Sequence, residues 1–285
     1  MKICVLGLDG AAPEVILHDE RLVNLRRLMD LGLYGRLQSA TTTFALWDQL
    51  AREGRKSIVV GVSGKDEFTD PASIKAEIEQ LVGNDPVDIK NLHTDRKDRL
   101  RDEIFAMSRR QWQVVRHLLT NHEWDYFHFV DIGLDPIQRS FWNHFDKCSA
   151  HYKHGNPYEN VVPDYYLWLD EQVGSVMDLL DEQTVLLVVS ESGVQLDDGP
   201  NVCDDAPDGM FLLAAPNCPL SGEYEGARLL DIAPTLLDLA GYDIPDSMQG
   251  RSLVAGLEKK SAGDGFGSGD SEQLIHDRLA GLGYI

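Results

Sequence analysis

The sequence lacks the features that define several common classes of protein. Its four cysteines are widely spaced and form no C-x-x-C pair, which argues against a zinc ribbon or a thioredoxin-like redox motif. No apolar run approaches the roughly 20 residues of a membrane span. The apolar run at the N-terminus is too short for a signal peptide. We therefore expect a soluble, cytoplasmic protein.

Basic residues are scarce, with 26 Lys and Arg against 47 Asp and Glu, for a formal net charge of −21. Such a surface repels phosphate backbones and anionic lipids, so we expect neither nucleic acid nor a membrane as a partner. The acids are spread along the chain and do not form a tail. This pattern is typical of the highly solvated, halophilic-type surface of proteins adapted to high salt.

Apolar runs that alternate with helical patterns predict the fold class. The run at residues 185–189 shows no alternation, as expected for a strand covered on both faces, and it stops at Ser190. Repeated strand–helix–strand units predict an α/β fold with a doubly wound, mostly parallel central sheet and helices on both faces. We expect one domain over residues 1–257, a Gly/Ser-rich flexible linker at 258–271 and a C-terminal helix at 272–285.

Acidic residues follow several predicted strands, where ligands of such sheets bind. The first strand ends in Gly7-Leu8-Asp9-Gly10, which is not the G-x-G-x-x-G dinucleotide signature. Asp9 has two interpretations: an N-cap of the next helix, which its position alone favours, or a ligand for a divalent cation. Three histidines near Asp146 could also bind a metal, but solvated surface side chains are the favoured interpretation; they are His144, His151 and His154.

Nine segments occur in an order that matches one known family. They are residues 5–10, 24–28, 35–39, 135–142, 144–146, 155–158, 231–241, 250–253 and 278–284. Together they resemble the type I phosphodiesterase/nucleotide pyrophosphatase branch of the alkaline phosphatase superfamily, and the most specific segment is residues 231–241. The resemblance implies an alkaline-phosphatase-like core with two metal ions, usually zinc, at the strand ends. There a Thr or Ser nucleophile attacks a phosphate ester.

Carried over residue by residue, the resemblance implies a changed metal site. Carboxylates remain at four family positions, namely Asp9, Asp135, Glu191 and Asp205. The family's three histidine ligands are replaced by Arg139, Ser192 and, at the last position, Asp205 itself. A guanidinium has no lone pair to give a metal and stays protonated. Thr43 is a weak candidate for the nucleophile, because the simplest alignment deletes the stretch that bears it.

Two main hypotheses follow, and the first is favoured. In the first, the chain is a degenerate, catalytically impaired relative, a pseudoenzyme, with a ligand-binding or accessory role. Its partner is then a phosphorylated small molecule or a protein, and Arg139 pairs with Asp135 or Glu191. In the second, it is an active metal-dependent phosphodiesterase or phosphatase that binds a divalent metal, Zn²⁺, Mn²⁺ or Mg²⁺, with a carboxylate-rich site that suits the last two better. An unrelated binding domain of the same shape is a third alternative.

Overall fold

Nine strands form one sheet in the part of the chain that a computed structural model describes, residues 1–38, 46–62, 68–70, 72–82, 96–149, 152–193 and 208–257. The strands are β1 (Lys2–Leu8), β2 (Leu33–Gln38), β3 (Ser57–Val62), β4 (Phe68–Asp70), β5 (Tyr126–Asp131), β6 (Thr184–Ser192), β7 (Asp208–Ala214), β8 (Gly222–Glu223) and β9 (Ala227–Arg228). The helices are α1 (Pro13–Ile16), α2 (Val23–Leu31), α3 (Leu46–Arg52), α4 (Ala72–Val82), α5 (Lys97–Asn121), α6 (Leu134–Phe145), α7 (Val161–Met177) and α8 (Leu229–Ala240).

The centre of the sheet is parallel. The strand order is β4-β3-β5-β1-β6-β7-β2-β8, and β9 also pairs with β2. Strands β3, β5, β1 and β6 run parallel to one another, whereas β7 is antiparallel to both β6 and β2. Strand β4 is antiparallel to β3 at the edge. The predicted mostly parallel α/β sheet is confirmed.

Helices cover both faces of the sheet, which explains why its central strands show no alternation of apolar and polar residues. Cys4 and Leu6 of β1 point into a core formed with α2, α4, α5, α6 and α7. Ile3 and Val5 point the other way, into a core formed with α3 and α8. All four side chains are almost fully buried. The doubly wound arrangement therefore follows from apolar residues at consecutive positions.

Strand β6 does not stop at Ser190 as the sequence predicts. It continues to Ser192, because the antiparallel neighbour β7 extends the ladder with the pairs Ser190–Met210 and Ser192–Asp208. The apolar run ends at Val189, Ser190 is still buried, and only Glu191 and Ser192 leave the covered part of the sheet. An apolar pattern locates the buried part of a strand only approximately, and here the backbone pairing goes further.

The segments predicted as a linker at 258–271 and as a terminal helix at 272–285 lie outside the described residues. The division of the chain at residue 257 stays a prediction. Among the helices of the described ranges, none combines the length and the apolar character that crossing a membrane requires.

Candidate functional site

Carboxylates meet at the carboxyl edge of the sheet because β1, β5 and β6 run parallel and end there. Asp9 directly follows β1, Asp131 is the last residue of β5, and Glu191 is the next-to-last residue of β6. The backbone N–H of Asp9 donates to the carbonyl of Asp131 at 3.0 Å. Asp135 reaches the same edge from the first turn of α6.

Asp9 is not the helix N-cap that its position favours. Helix α1 has Ala12 at the N-cap, and no side chain caps it. Gly10 allows the turn between them, since its φ of 71° lies in the left-handed region. This turn separates Asp9 from the helix and leaves its carboxylate at the strand end, partly covered but within reach of solvent.

A buried network of polar groups fixes the turn after Asp9. Gln138 of α6 donates from Nε2 to the carbonyl of Gly10 at 2.6 Å and accepts from the Tyr166 hydroxyl at 2.8 Å. The same hydroxyl accepts from the N–H of Ala12 at 2.9 Å. Sequence reasoning missed Gln138 and Tyr166, although Gln138 lies three residues after Asp135 and so on the same helix face.

Ser190 connects β6 to this turn. Its Oγ accepts from the N–H of Ala11 at 3.1 Å and donates to the carbonyl of Ser192 at 2.7 Å. The serine before Glu191 is therefore a structural residue that joins two strand ends. The Ser192 side chain is half-buried beside it and lines the same cavity as Glu191.

The charges at this edge repel one another. Partial burial raises the pKa of Asp9, and the neighbouring carboxylates of Asp135 and Glu191 raise it further, while Arg139 opposes them. Partial burial also raises the pKa of Glu191. Asp9 and Glu191 still reach solvent, so both effects are moderated by water.

Arg139 forms an ion pair with Asp135 along one face of α6. The Arg139 Nε lies 2.8 Å from Oδ1 and 2.8 Å from Oδ2 of Asp135. The two residues are four apart on the helix, and their side chains are 34% and 26% exposed, respectively. The guanidinium thus sits on both oxygens that a metal at this family position would need. Asp135 is one of the two partners that the sequence proposes for Arg139.

Asp131 is buried and serves the fold. Its Oδ1 accepts from the N–H groups of Gly133 and Leu134, at 3.0 and 3.2 Å, and from the Tyr165 hydroxyl at 3.1 Å. Its Oδ2 accepts from Trp112 Nε1 at 2.7 Å. Burial raises the pKa of Asp131, and these four donors act against that rise. Because two of these donors are backbone N–H groups at the start of α6, the Asp131 carboxylate fixes the start of that helix and thereby the position of Asp135.

A cavity of about 560 Å³ opens beside Asp9 and Glu191 on the face of the sheet that α3 and α8 cover. Its floor is formed mainly by apolar side chains of β1 and β6, and its walls by Trp47 of α3 and by residues of α8. His128 lies in the floor, where burial lowers the pKa of its imidazole to about 4 and keeps it neutral. The Tyr126 hydroxyl is 3.0 Å from His128 Nδ1. The site therefore combines a carboxylate rim with an apolar, uncharged interior.

Two predicted site residues, Thr43 and Asp205, lie outside the described residues. The structure brings together Asp9, Asp135 and Glu191, with Arg139 beside them. These donors do not fit a two-zinc site, because the described positions predicted for metal ligands offer carboxylate oxygens and no imidazole, and Arg139 engages Asp135.

Comparisons with known proteins identify the family and the fold. Residues 42–198 match the model of the type I phosphodiesterase / nucleotide pyrophosphatase family, which is more than half of the chain. The chain belongs to this family. No curated protein matches it by sequence.

Two solved structures share the fold of this chain. A 2-O GAG sulfatase superposes with a TM-score of 0.58 at 13% identity, over 92% of this chain and 76% of the sulfatase. A protein in the alkaline phosphatase superfamily from Vibrio parahaemolyticus superposes with a TM-score of 0.53 at 13% identity, over 90% of this chain and 70% of the other. At this identity the likeness concerns the fold alone.

Residues 231–241, the segment with the most specific resemblance in sequence, form hydrogen bonds to the chain before and after α8. Asp231 lies in the first turn of α8 and accepts from Arg228 Nη2 at 2.7 Å and from the N–H of Arg251 at 3.0 Å. Thr235 Oγ1 accepts from the N–H of Leu253 at 2.9 Å and donates to the Asp231 carbonyl. The segment at 250–253 is thus fastened to α8 by two side chains of the motif.

Proposed function

We propose that this chain is a catalytically impaired member of the type I phosphodiesterase family that uses the strand-end site for binding or as an accessory subunit. The observation that supports this is the ion pair in which Arg139 Nε lies 2.8 Å from both oxygens of Asp135. A fixed positive charge there neutralises the carboxylates and disfavours a cation. The two-metal route of hydrolysis would lack the family's imidazole ligands, since Arg139 and Ser192 stand at two of the predicted histidine positions.

The cavity indicates what such a site binds. Apolar walls with Trp47 and a neutral His128 suit an aromatic or aliphatic group, and the rim of Asp9 and Glu191 suits hydrogen-bond donors such as hydroxyls. A phosphorylated ligand would need the guanidinium of Arg139, because the neighbouring carboxylates repel phosphate. We therefore place an apolar or ring-shaped group in the cavity and the polar end of the ligand at the rim.

The first experiment measures metal content by mass spectrometry and turnover of bis-p-nitrophenyl phosphate in Zn²⁺, Mn²⁺ and Mg²⁺. We expect no turnover above background in the wild type, and no metal that is lost in Asp9→Ala. Stoichiometric metal and turnover that both disappear in Asp9→Ala would instead establish the carboxylate-rich phosphodiesterase. That alternative has one observation in its favour, namely that Asp135 and Glu191 raise the pKa of Asp9 as crowded metal ligands do.

A second experiment restores the family's ligands. The combined variant Arg139→His, Glu191→Asp, Ser192→His and Asp205→His removes the guanidinium and supplies three imidazoles. We expect this variant to take up Zn²⁺ that the wild type does not bind at this edge. The control is Arg228→His, which replaces an arginine in a different ion pair, with Asp231. Equal Zn²⁺ uptake at this edge by the wild type would contradict the proposal.

A further inference from the structure

Three potential metal ligands converge between α4 and the C-terminal end of α5. Glu77 of α4 faces His117 of α5 and His122, which directly follows α5. His117 Nε2 is 2.6 Å from Glu77 Oε1, and His122 Nε2 is 2.9 Å from Glu77 Oε2. One ligand atom from each residue lies within 4.8 Å of the others. The side chains are 32%, 29% and 37% exposed for His117, His122 and Glu77, so an ion can reach them from solution.

We propose that Glu77, His117 and His122 bind a first-row transition-metal ion, with Zn²⁺ as the best match. Two imidazole nitrogens and one carboxylate form a donor set typical of three-ligand zinc sites, in which water completes the tetrahedron. Mg²⁺ and Ca²⁺ prefer all-oxygen ligands and are not expected to compete. The site is separate from the strand-end site and does not depend on the proposed function.

The present arrangement needs a small rearrangement to hold an ion. With Zn–N and Zn–O bonds of about 2.0–2.1 Å in a tetrahedron, neighbouring ligand atoms are roughly 3.3 Å apart. The two Glu77–His pairs, at 2.6 and 2.9 Å, use different carboxylate oxygens, and one ligand atom from each residue lies within 4.8 Å of the others, so the side chains have to shift by up to roughly 1.5 Å. The Glu77 side chain is long and partly exposed, which allows that movement.

The electrostatic surroundings favour a cation. His117 and His122 lie at the C-terminal end of α5, a helix of 25 residues, where the helix dipole presents partial negative charge. The formal charge of −21 on the whole chain also raises the concentration of cations near its surface. A bound ion would fasten α4, which follows the edge strand β4, to α5 in the body of the fold.

Asn121 influences metal affinity through its contact with the His117 ring. Its Nδ2 lies 3.2 Å from His117 Nδ1 and donates to the His117 carbonyl at 2.8 Å. If Nδ1 accepts from this amide, the proton of His117 is on Nε2, the atom that faces Glu77. Metal binding at Nε2 moves the proton to Nδ1, which then needs an acceptor. We therefore expect Asn121→Asp, which supplies a carboxylate oxygen next to His117, to raise metal affinity about tenfold.

The test uses the full chain and the metals alone. Zn²⁺ binding is measured by isothermal titration calorimetry, and Co²⁺ binding by the visible absorption bands of tetrahedral Co²⁺. We expect one ion per chain in the wild type, and at least a tenfold loss of affinity in Glu77→Gln, His117→Gln and His122→Gln. The control His154→Gln changes an exposed histidine outside the cluster. Asp9→Asn, at the strand-end site, is expected to keep this ion.

Thermal unfolding separates binding from misfolding. An ion that binds the folded chain raises the Tm of the wild type, and this rise should be absent in the three ligand variants. Zn²⁺ affinity that is unchanged in all three, or that is lost in Asp9→Asn instead, would overturn the proposal. If a ligand variant does not fold, Asn121→Asp still decides the matter, because affinity equal to or weaker than wild type contradicts the site.

Discussion

Two regions of this molecule preserve different parts of a family pattern. The motif made of residues 231–241 and 250–253 resembles the family's sequence, and its side chains accept hydrogen bonds from backbone N–H groups. The strand-end site has carboxylates at two predicted metal-ligand positions, Asp9 and Asp135, but pairs Asp135 with Arg139. The difference indicates that the motif at 231–253 carries its resemblance in residues that pack the fold. Resemblance in such a motif supports the fold and says little about chemistry.

The largest expected effect is in the packing motif. Gly250 has φ of 86°, and a Cβ there would lie 2.1 Å from the Leu230 carbonyl oxygen. Gly250→Ala must displace backbone, so we expect a loss on the order of 3–5 kcal/mol in the free energy of unfolding, measured by urea denaturation. Gly256→Ala is the control, since its φ is 75° and a Cβ there meets no described atom within 4 Å. The control should cost about 1–2 kcal/mol, and equal losses would contradict the steric argument.

The charge of Asp231 should have the next largest effect. Burial raises its pKa, but hydrogen bonds from Arg228 and the Arg251 N–H outweigh burial, so the net pKa is lowered. A lowered pKa in the folded state stabilises the fold above the unfolded value of about 3.9 and loses that contribution as pH falls through the folded pKa. Asp231→Asn should cost about 2–3 kcal/mol at pH 7.

The pH dependence is the decisive measurement for Asp231. The difference between wild type and Asp231→Asn should narrow below about pH 3.9, as followed by urea denaturation at several pH values. Asp246→Asn, an exposed acid in the same part of the chain, should show no such difference. A constant difference at all pH values would mean that shape, and not charge, holds the motif together.

Thr235→Val tests the uncharged hydrogen bond between the Leu253 N–H and Thr235 Oγ1, with little change in side-chain volume. It leaves the buried N–H of Leu253 without its acceptor, and we expect a loss of about 1–2 kcal/mol in urea denaturation. Thr120→Val is the matched control, because the exposed Thr120 hydroxyl donates only within its own helix, to the Arg116 carbonyl. It should change stability by less than about 0.5 kcal/mol. Similar losses at both positions would contradict a special role for the motif.

The smallest expected effect has the opposite sign and lies at the strand-end site. Partial burial, Asp135 and Glu191 raise the pKa of Asp9. A raised pKa gives stability that is complete below the unfolded value of about 3.9 and is lost as pH rises through the folded pKa. Asp9→Asn should therefore stabilise the chain at pH 7, by less than about 1 kcal/mol because Asp9 reaches solvent.

The gain from Asp9→Asn should vanish near pH 3 and be absent in Asp243→Asn, an exposed control. Differential scanning calorimetry at both pH values measures it. A destabilised Asp9→Asn at pH 7 would show that the Asp9 carboxylate is a structural group like that of Asp231. The strand-end site and the motif at 231–253 would then both depend on a carboxylate for stability.

The sheet could be predicted because its signal is local. Consecutive apolar residues such as those of β1 and β6 indicate strands covered on both faces, and short gaps between strands and helices indicate parallel connections. The end of β6 could not be predicted, because it depends on β7, which is distant in the sequence and antiparallel. The start of α8 is also misplaced by sequence alone, since Asp231 ahead of an apolar run that ends at Gly241 predicts an N-cap at Asp231. The helix begins earlier, at Leu229, and Asp231 caps it from within the first turn.

The candidate site was predictable only in part. The i and i+4 spacing of Asp135 and Arg139 makes their pairing readable from the sequence. Gln138 and Tyr166 come from different helices, and their contact at the turn after Asp9 exists only once the sheet and helices are assembled. Likewise, Glu77 is 40 positions from His117, whereas the histidines that are close in sequence near Asp146 did not indicate this cluster.

The central place of β1 has a consequence for synthesis. This apolar strand pairs on one side with β5, whose first partner is Tyr126, and on the other with β6, whose first partner is Thr184. At about 5–20 residues per second, the ribosome delivers the second neighbour only after many seconds. Until then, one of the most buried segments of the folded molecule has an unpaired edge, which can pair with another chain. Strand β1 is thus made well before either of the two strands that enclose it.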